Sequence, residues 1–256
     1  SVSDNAGNTA EATRTVHVMD TIPPVITLLG QAGMVVEAGQ PFVDPGVHAQ
    51  DTLDGDATDK VVATGSVDVM KPGVYEIVYS VRDYGGNKAV ERVRKVVVQD
   101  TTGPVVELLG QAAIPQEAGV EYIEPGYLAR DIADGDVTSL VQVEGKVDVK
   151  KLGSYVLNYK AADAAGNLSD VVVRTVLVTD TQPPLIQLNG EPSVQVEAGS
   201  VYTDVGAVAL DIFDGEISSS LETASNVRID VPGLYSVKYI VSDAAGNIAD
   251  EAVRLV

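Results

Sequence analysis

"VYEIVYSVRD", residues 74–83, changes character at every second position. Tyr75, Ile77, Tyr79 and Val81 share one face, while Glu76, Ser80 and Arg82 lie on the other. A period of two is the mark of a strand with one buried side. The pattern returns as "YVLNYKAAD" (155–163), with Tyr155, Leu157 and Tyr159, and as "YSVKYIVSD" (235–243), with Tyr235, Val237 and Tyr239. No stretch carries a helical stripe. Turn signals such as "KPG" (71–73), "VPG" (231–233), "LDGD" (53–56) and "AAGN" (164–167 and 244–247) separate the extended runs. The expectation is an all-β chain of antiparallel sandwiches.

Working outward, the same step of 80 residues orders the rest of the sequence. Asp20, Asp100 and Asp180 open "DTIPP", "DTTGP" and "DTQPP". Glu37, Glu117 and Glu197 open three copies of "EAG", and Asp51, Asp131 and Asp211 open "DTLDGD", "DIADGD" and "DIFDGE". Asp83, Asp163 and Asp243 open "DYGGN", "DAAGN" and "DAAGN". Solenoid units run roughly 20–50 residues, so a longer period indicates self-contained domains in tandem. The boundaries are 21–100, 101–180 and 181–256, the last short of its final strand. Residues 1–20, with "DNAGN" at Asp4–Asn8, match only the C-terminal hairpin of a preceding repeat, as expected of a window from a longer array.

Composition narrows the function. Thirty-seven acidic residues against 17 basic ones give a formal charge of −20, which repels phosphate backbones and anionic lipid. Nucleic acid is therefore not an expected partner, and no apolar run reaches membrane-spanning length. With no cysteine, disulfides and thiolate chemistry are out. His17 and His48 stand where sister repeats carry aliphatic residues (Val97 and Leu177; Leu128 and Val208), so they read as strand positions. No Ser–His–Asp or Cys–His set can be assembled, and the paired acids lack a cleft with sugar platforms. The expectation is a chain without catalysis.

The order "DTxPP…VEAG…DPG…DxxDGD…DAAGN" resembles bacterial Ig-like repeats of the type described in a pesticidal crystal protein. It is also similar to the hyalin repeat, which shares the "D-x-T-x-P" entry and the "D-x-x-GN" hairpin. The resemblance covers essentially the whole chain. It implies tandem Ig-like sandwiches in large extracellular bacterial proteins, and a structural family with no shared catalytic residue.

Antiparallel alternation places the acids. If "PVITLLG" and "MVVEAG" run away from the leading end of a repeat, the chain comes back with "FVDPGVHAQD". It leaves again with "KVVATGSVDV" and returns with "VYEIVYSVRD". Asp20, Asp51, Asp54, Asp56 and Asp83 then meet at one pole, and "EAG" faces the next linker. The same trace gathers Glu37, Asp100, Asp131, Asp134, Asp136 and Asp163 at the second junction. At the third it gathers Glu117, Asp180, Asp211, Asp214, Glu216 and Asp243. Cadherin junctions are similar in this respect, by analogy of placement.

Two readings of these acids stand side by side. Asp and Asn favour tight turns by accepting backbone amide bonds, and Gly supplies the positive φ. Alternatively the clustered carboxylates hold Ca2+, which takes roughly six to eight oxygens. The spacing is not that of an EF-hand. Taken together, the expectation is an elongated rod of Ig-like repeats, stiffened by Ca2+ at its junctions. It would serve as a spacer in a secreted or surface-anchored bacterial protein of adhesin or surface-layer type. The alternative is a glycan- or protein-binding module of a secreted enzyme or toxin. Neighbouring repeats are the expected partners, with other copies of the chain or cell-surface glycan as further candidates.

Overall fold

The computed structural model describes residues 1–256 and is all-β apart from three single-turn 3-10 segments, Thr58–Lys60, Thr138–Leu140 and Ser218–Ser220. Two compact units are distinguished: Ser1–Thr102 with Ile132–Gly135, and Gly103–Asp131 with Asp136–Val256.

In the first unit, repeat 1 is a sandwich of two small sheets. One contains Val25–Leu28, Val47–Asp51 and Gly55–Asp56 in that order. The other runs Gly33–Glu37, Arg92–Gln99, Gly73–Ser80, Val62–Thr64. The face read from "VYEIVYSVRD" is the inner one: Ile77, Tyr79 and Val81 are buried with Ile26, Val47, Ala49, Ala57 and Ala89. Tyr75 lies nearer the rim, where its hydroxyl donates to the Lys71 carbonyl at 2.8 Å. His48 occupies the exposed side of its strand, opposite Thr27.

The second unit repeats the plan. Val105–Leu108 pairs with Tyr127–Asp131, and Ala113–Glu117, Val172–Thr179, Gly153–Lys160 and Gln142–Glu144 form the facing sheet. In repeat 3, Leu185–Leu188, Ala207–Asp211 and Gly215–Glu216 face Glu222–Ser225, Ser236–Ile240 and Ala252–Leu255.

One pairing departs from pure antiparallel order. Gly33–Glu37 lies parallel to Arg92–Gln99, and Ala113–Glu117 parallel to Val172–Thr179. The cause is directional. The chain crosses from one sheet to the other at Gly30 without turning back, so it reaches the second sheet running with that sheet's last strand. The outcome carries the "EAG" turn to the trailing end of the repeat.

Each core also holds an arginine. Arg94, Arg174 and Arg254 are at most 1% exposed. Arg94 donates to the carbonyls of Leu29 (2.7 Å), Gly46 (2.9 Å) and Gln31 (3.0 Å) and pairs with Asp44 at 3.1 Å. Tyr79 donates its hydroxyl to the same Asp44. Arg174 with Glu124 and Tyr159, and Arg254 with Asp204 and Tyr239, repeat the set. A buried charge is tolerable only when paired and bonded in this way. The guanidinium ties both sheets to the loop carrying "DPG" or its equivalent. Burial, and then the bond to Asp44, raises the Tyr79 hydroxyl above its ordinary value.

Residues 1–20 form an exposed hairpin, Val2–Ser3 against Thr9–Ala10, followed by an irregular strand-free stretch. Asp4 holds its turn by accepting from the Ala6 and Asn8 amides and from the Asn8 side chain.

Candidate metal centre

The "DxxDG" loop follows the strand Val47–Asp51, and Gly55 closes it with φ +77°, a conformation few other residues adopt. Asp51 is 3% exposed. Its Oδ1 accepts from the Leu53 and Asp54 amides at 2.8 and 2.9 Å, while its Oδ2 is buried with no donor. Asp54 Oδ2 accepts from the Tyr84 amide at 2.7 Å, which fastens this loop to the "DYGGN" hairpin. Asp20 divides its carboxylate in the same manner: Oδ1 accepts from Ile22, and Oδ2 is buried and unpartnered. Asp20, Asp51 and Asp54 each bring one oxygen into a group whose members lie within 4.8 Å of one another.

Repeat 3 builds the same group from Asp180, Asp211 and Asp214. Asp211 Oδ1 accepts from Phe213 and Asp214 at 2.7 and 2.8 Å, and its Oδ2 has no donor. Asp214 Oδ2 accepts from the Ala244 amide at 2.8 Å. Neither oxygen of Asp180 has a donor, although the residue is only 9% exposed. Burial, then the charges of Asp211, Asp243, Asp214 and Glu117, push the Asp180 carboxyl up to about 6. At repeat 1, by contrast, backbone amides led by that of Asp54 hold Asp51 below its usual range against the effect of burial, and Lys60 adds to the lowering. Asp100, Asp131 and Asp134 are the register equivalents in repeat 2.

The remaining aspartates from the sequence and Glu216 each accept at least one hydrogen bond from their own loop or turn. Asp83 accepts the Asn87 amide at 2.7 Å and the Asn87 side chain at 2.8 Å. Asp163 and Asp243 do the same with Asn167 and Asn247. Asp56 and Asp136 accept from the Thr58 and Thr138 amides at the start of the 3-10 turns, and Glu216 accepts from the Ser218 hydroxyl.

Glu37 and Glu117 hold the linkers. Glu37 accepts from the Thr101 amide at 2.6 Å and from the Thr101 and Thr102 hydroxyls at 2.9 and 3.1 Å. Glu117 accepts from the Thr181 amide at 2.8 Å, its hydroxyl at 2.6 Å, and the Gln182 amide at 3.2 Å. Both carboxyls are lowered from their ordinary values. For Glu37 the Thr101 amide is the main cause; for Glu117 burial opposes, and the Thr181 bonds outweigh it. Directly after Glu117, Gly119 packs against the repeat 3 loop so closely that an added Cβ would stand 2.8 Å from the Ile212 carbonyl oxygen.

The buried arginines were not among the candidates from sequence, although Arg94, Arg174 and Arg254 keep the step of 80, as do Asp44, Glu124 and Asp204. Register would have found them; hydropathy pointed away.

Donor chemistry fits a hard cation. Oxygens on opposite sides of a calcium ion, each roughly 2.3–2.6 Å from it, stand about 4.6–5.2 Å apart, a span that accommodates the observed groups. No nitrogen or sulfur donor lies in them, which disfavours zinc and copper.

The family model described as "Bacterial surface protein, Ig-like domain" matches residues 26–98, 106–178 and 186–256. Pesticidal crystal protein Cry22Aa of Bacillus thuringiensis is 29% identical over 279 residues, spanning 100% of this chain and 36% of that protein. Hyalin of Lytechinus variegatus is 30% identical over 265 residues, spanning 98% of this chain and 49% of hyalin. The chain thus spans between about a third and a half of the curated relatives it matches. Among solved structures, the lipoprotein BT2262 of Bacteroides thetaiotaomicron matches with TM-score 0.29 and 16% identity, over 90% of this chain and 99% of that one.

Proposed function

The chain belongs to the bacterial surface Ig-like domain family, and from that premise we propose that it is a non-catalytic stalk whose repeats are locked by calcium. The family points to a surface or extracellular setting. The stalk role within a larger secreted or surface-anchored protein is our reading.

The observation that carries it is the divided carboxylate. Asp20, Asp51 and Asp211 each spend one oxygen on backbone amides and bury the other without a donor, and Asp180 buries both. An unsatisfied buried acceptor costs about 1–3 kcal/mol, more when charged. A turn alone needs only the first oxygen; the second is free to take a cation, a proton or a bound water, and three acids together favour the cation. Asp20, Asp51 and Asp54 would hold one ion, and Asp180, Asp211 and Asp214 another. Each ion would neutralise like charges that otherwise repel. Because Asp180 belongs to the linker that Glu117 clasps, an ion there would tie that linker to repeat 3, as Glu117 ties it to repeat 2.

A thermal melt of the whole chain in EDTA, millimolar Ca2+ and millimolar Mg2+ tests this. Calcium is expected to raise the melting temperature by several degrees, and magnesium to do less because it gives up its water reluctantly. Identical melts in all three conditions would reduce the loops to turns and remove the basis for a calcium-locked stalk.

A further inference from the structure

The two triads differ in the charges beside them: Lys60 stands at the first, and Glu117 is added to the acids at the second. In repeat 1, Lys60 Nζ lies 3.9 Å from Asp54 Oδ2 and 3.2 Å from the centre of the Tyr84 ring. The ammonium is thus held beside the triad by the Asp54 carboxylate and the Tyr84 face, and its charge also reaches Asp51. Both features are confined to repeat 1. The residues in register with Lys60 are Leu140 and Ser220, and those in register with Tyr84 are Ala164 and Ala244. Around Asp180, by contrast, Asp211, Asp214, Asp243 and Glu117 all act with the same sign.

We propose that Lys60 is a built-in counter-ion that gives the Asp20–Asp51–Asp54 site a weaker calcium affinity than the Asp180–Asp211–Asp214 site. The inference rests on reading the triads as calcium sites. A dication entering the first triad meets a fixed positive charge that already satisfies part of the carboxylate field. At the second no lysine or arginine pairs with any of the three acids, and the ion relieves the mutual repulsion of the carboxylates around Asp180. Sites of one architecture therefore fill at different calcium levels. Lys60 is the specificity-determining residue, and Tyr84 positions it.

Tyr84 also supplies the test. Its backbone amide binds Asp54, so its ring is close enough to sensitise Tb3+ bound at the first triad. The Tyr84→Phe variant keeps a ring under Lys60 and identifies which part of the luminescence this site contributes. Calcium displaces the terbium and reports the affinity in the full chain. Lys60→Ser, the residue of repeat 3, and Lys60→Gln are both expected to tighten calcium there roughly tenfold, with Lys60→Arg within about twofold of wild type. Calorimetry should show that Asp51→Asn abolishes a weaker binding event than Asp211→Asn does. Unchanged affinity in Lys60→Ser and Lys60→Gln, with terbium still bound and displaced by calcium, would overturn the role of Lys60 and leave the calcium reading standing. Wild-type protein that binds neither Tb3+ nor Ca2+ would overturn both.

Discussion

Asn87 donates its side-chain amide to the backbone carbonyl of Asp20, 67 residues earlier in the chain, at 3.1 Å. The same amide group donates to Asp83 at 2.8 Å. The hairpin at the end of repeat 1 therefore holds the linker at its beginning, and holds it at the residue whose carboxylate enters the triad. Asn247 reaches the Asp180 carbonyl at 3.3 Å in repeat 3. Asp83 and Asp243 thus orient the amide that positions a neighbouring acid.

The divided carboxylates predict an unusual response to Asn substitution. Asp51→Asn and Asp211→Asn keep an oxygen for the turn amides and lose the charge. In EDTA Asp51→Asn should melt slightly below wild type, because the turn amides and Lys60 favour its charged form. Asp211→Asn should match or exceed wild type by relieving Asp180. In both, the calcium-induced rise at the affected site disappears. A marked loss of stability in EDTA would show that the charge itself supports the turn.

Acidity should act on the calcium-free protein in a defined direction. A carboxyl whose folded value is raised contributes stability that is complete below its ordinary value of 3.8 and is lost as pH rises through about 6, the value for Asp180. In EDTA the chain should therefore melt a few degrees higher near pH 5 than near pH 7, and Asp180→Asn should flatten the difference. With saturating calcium the slope should reverse, since protons then compete with the ion.

Removing the core guanidinium should be costly. Arg94→Met leaves the half-buried Asp44 beside Tyr79 with no countercharge, and loses the bonds to three carbonyls. A loss of about 3–5 kcal/mol is expected for repeat 1, read from denaturant unfolding followed by hydrogen exchange at its strands. Asp44→Asn combined with Arg94→Met should recover part of that loss, because the stranded charge is gone.

The linker clasp can be tested locally. Glu117→Ala frees the Thr181 amide, and its exchange with solvent deuterium should accelerate roughly tenfold, as expected for losing a hydrogen bond worth about 1.5 kcal/mol. Amides in the strand Val172–Thr179 should be unaffected. Acceleration across the whole strand would mean that Glu117 supports the repeat as well as the linker.

Much of this architecture is legible in the residues themselves. The alternation around Tyr75–Val81 identifies the inner face, because a strand inverts its side chains at each step. The step of 80 aligns the linker acids with the "DxxDG" loops, and the structure brings Asp20 to Asp51 and Asp54. The division of labour among the acids is another matter. Asp54 and Asp56 look equivalent in sequence, yet one faces Asp20 and the other starts a 3-10 turn; only the positions of the individual oxygens separate them. Arg94 was hidden for a different reason. A guanidinium surrounded by carbonyls satisfies its charge through contacts that no hydropathy pattern records. The parallel pairing of Gly33–Glu37 depends on the chain changing sheets without reversing, which alternation alone does not reveal.

Gly119 has a bearing on how such repeats change over time. Its left-handed backbone, φ +76°, is a property of the turn, and Asn would be tolerable there in an isolated domain. The absence of space is imposed by Ile212 of the following repeat. The corresponding Gly199 has nothing within 4 Å of where a Cβ would stand. Substitution tolerance at this position is therefore inherited from the neighbour: mutational scans of single repeats would record freedom that the tandem denies, and a repeat moved to a new place in an array would meet a different set of permitted residues.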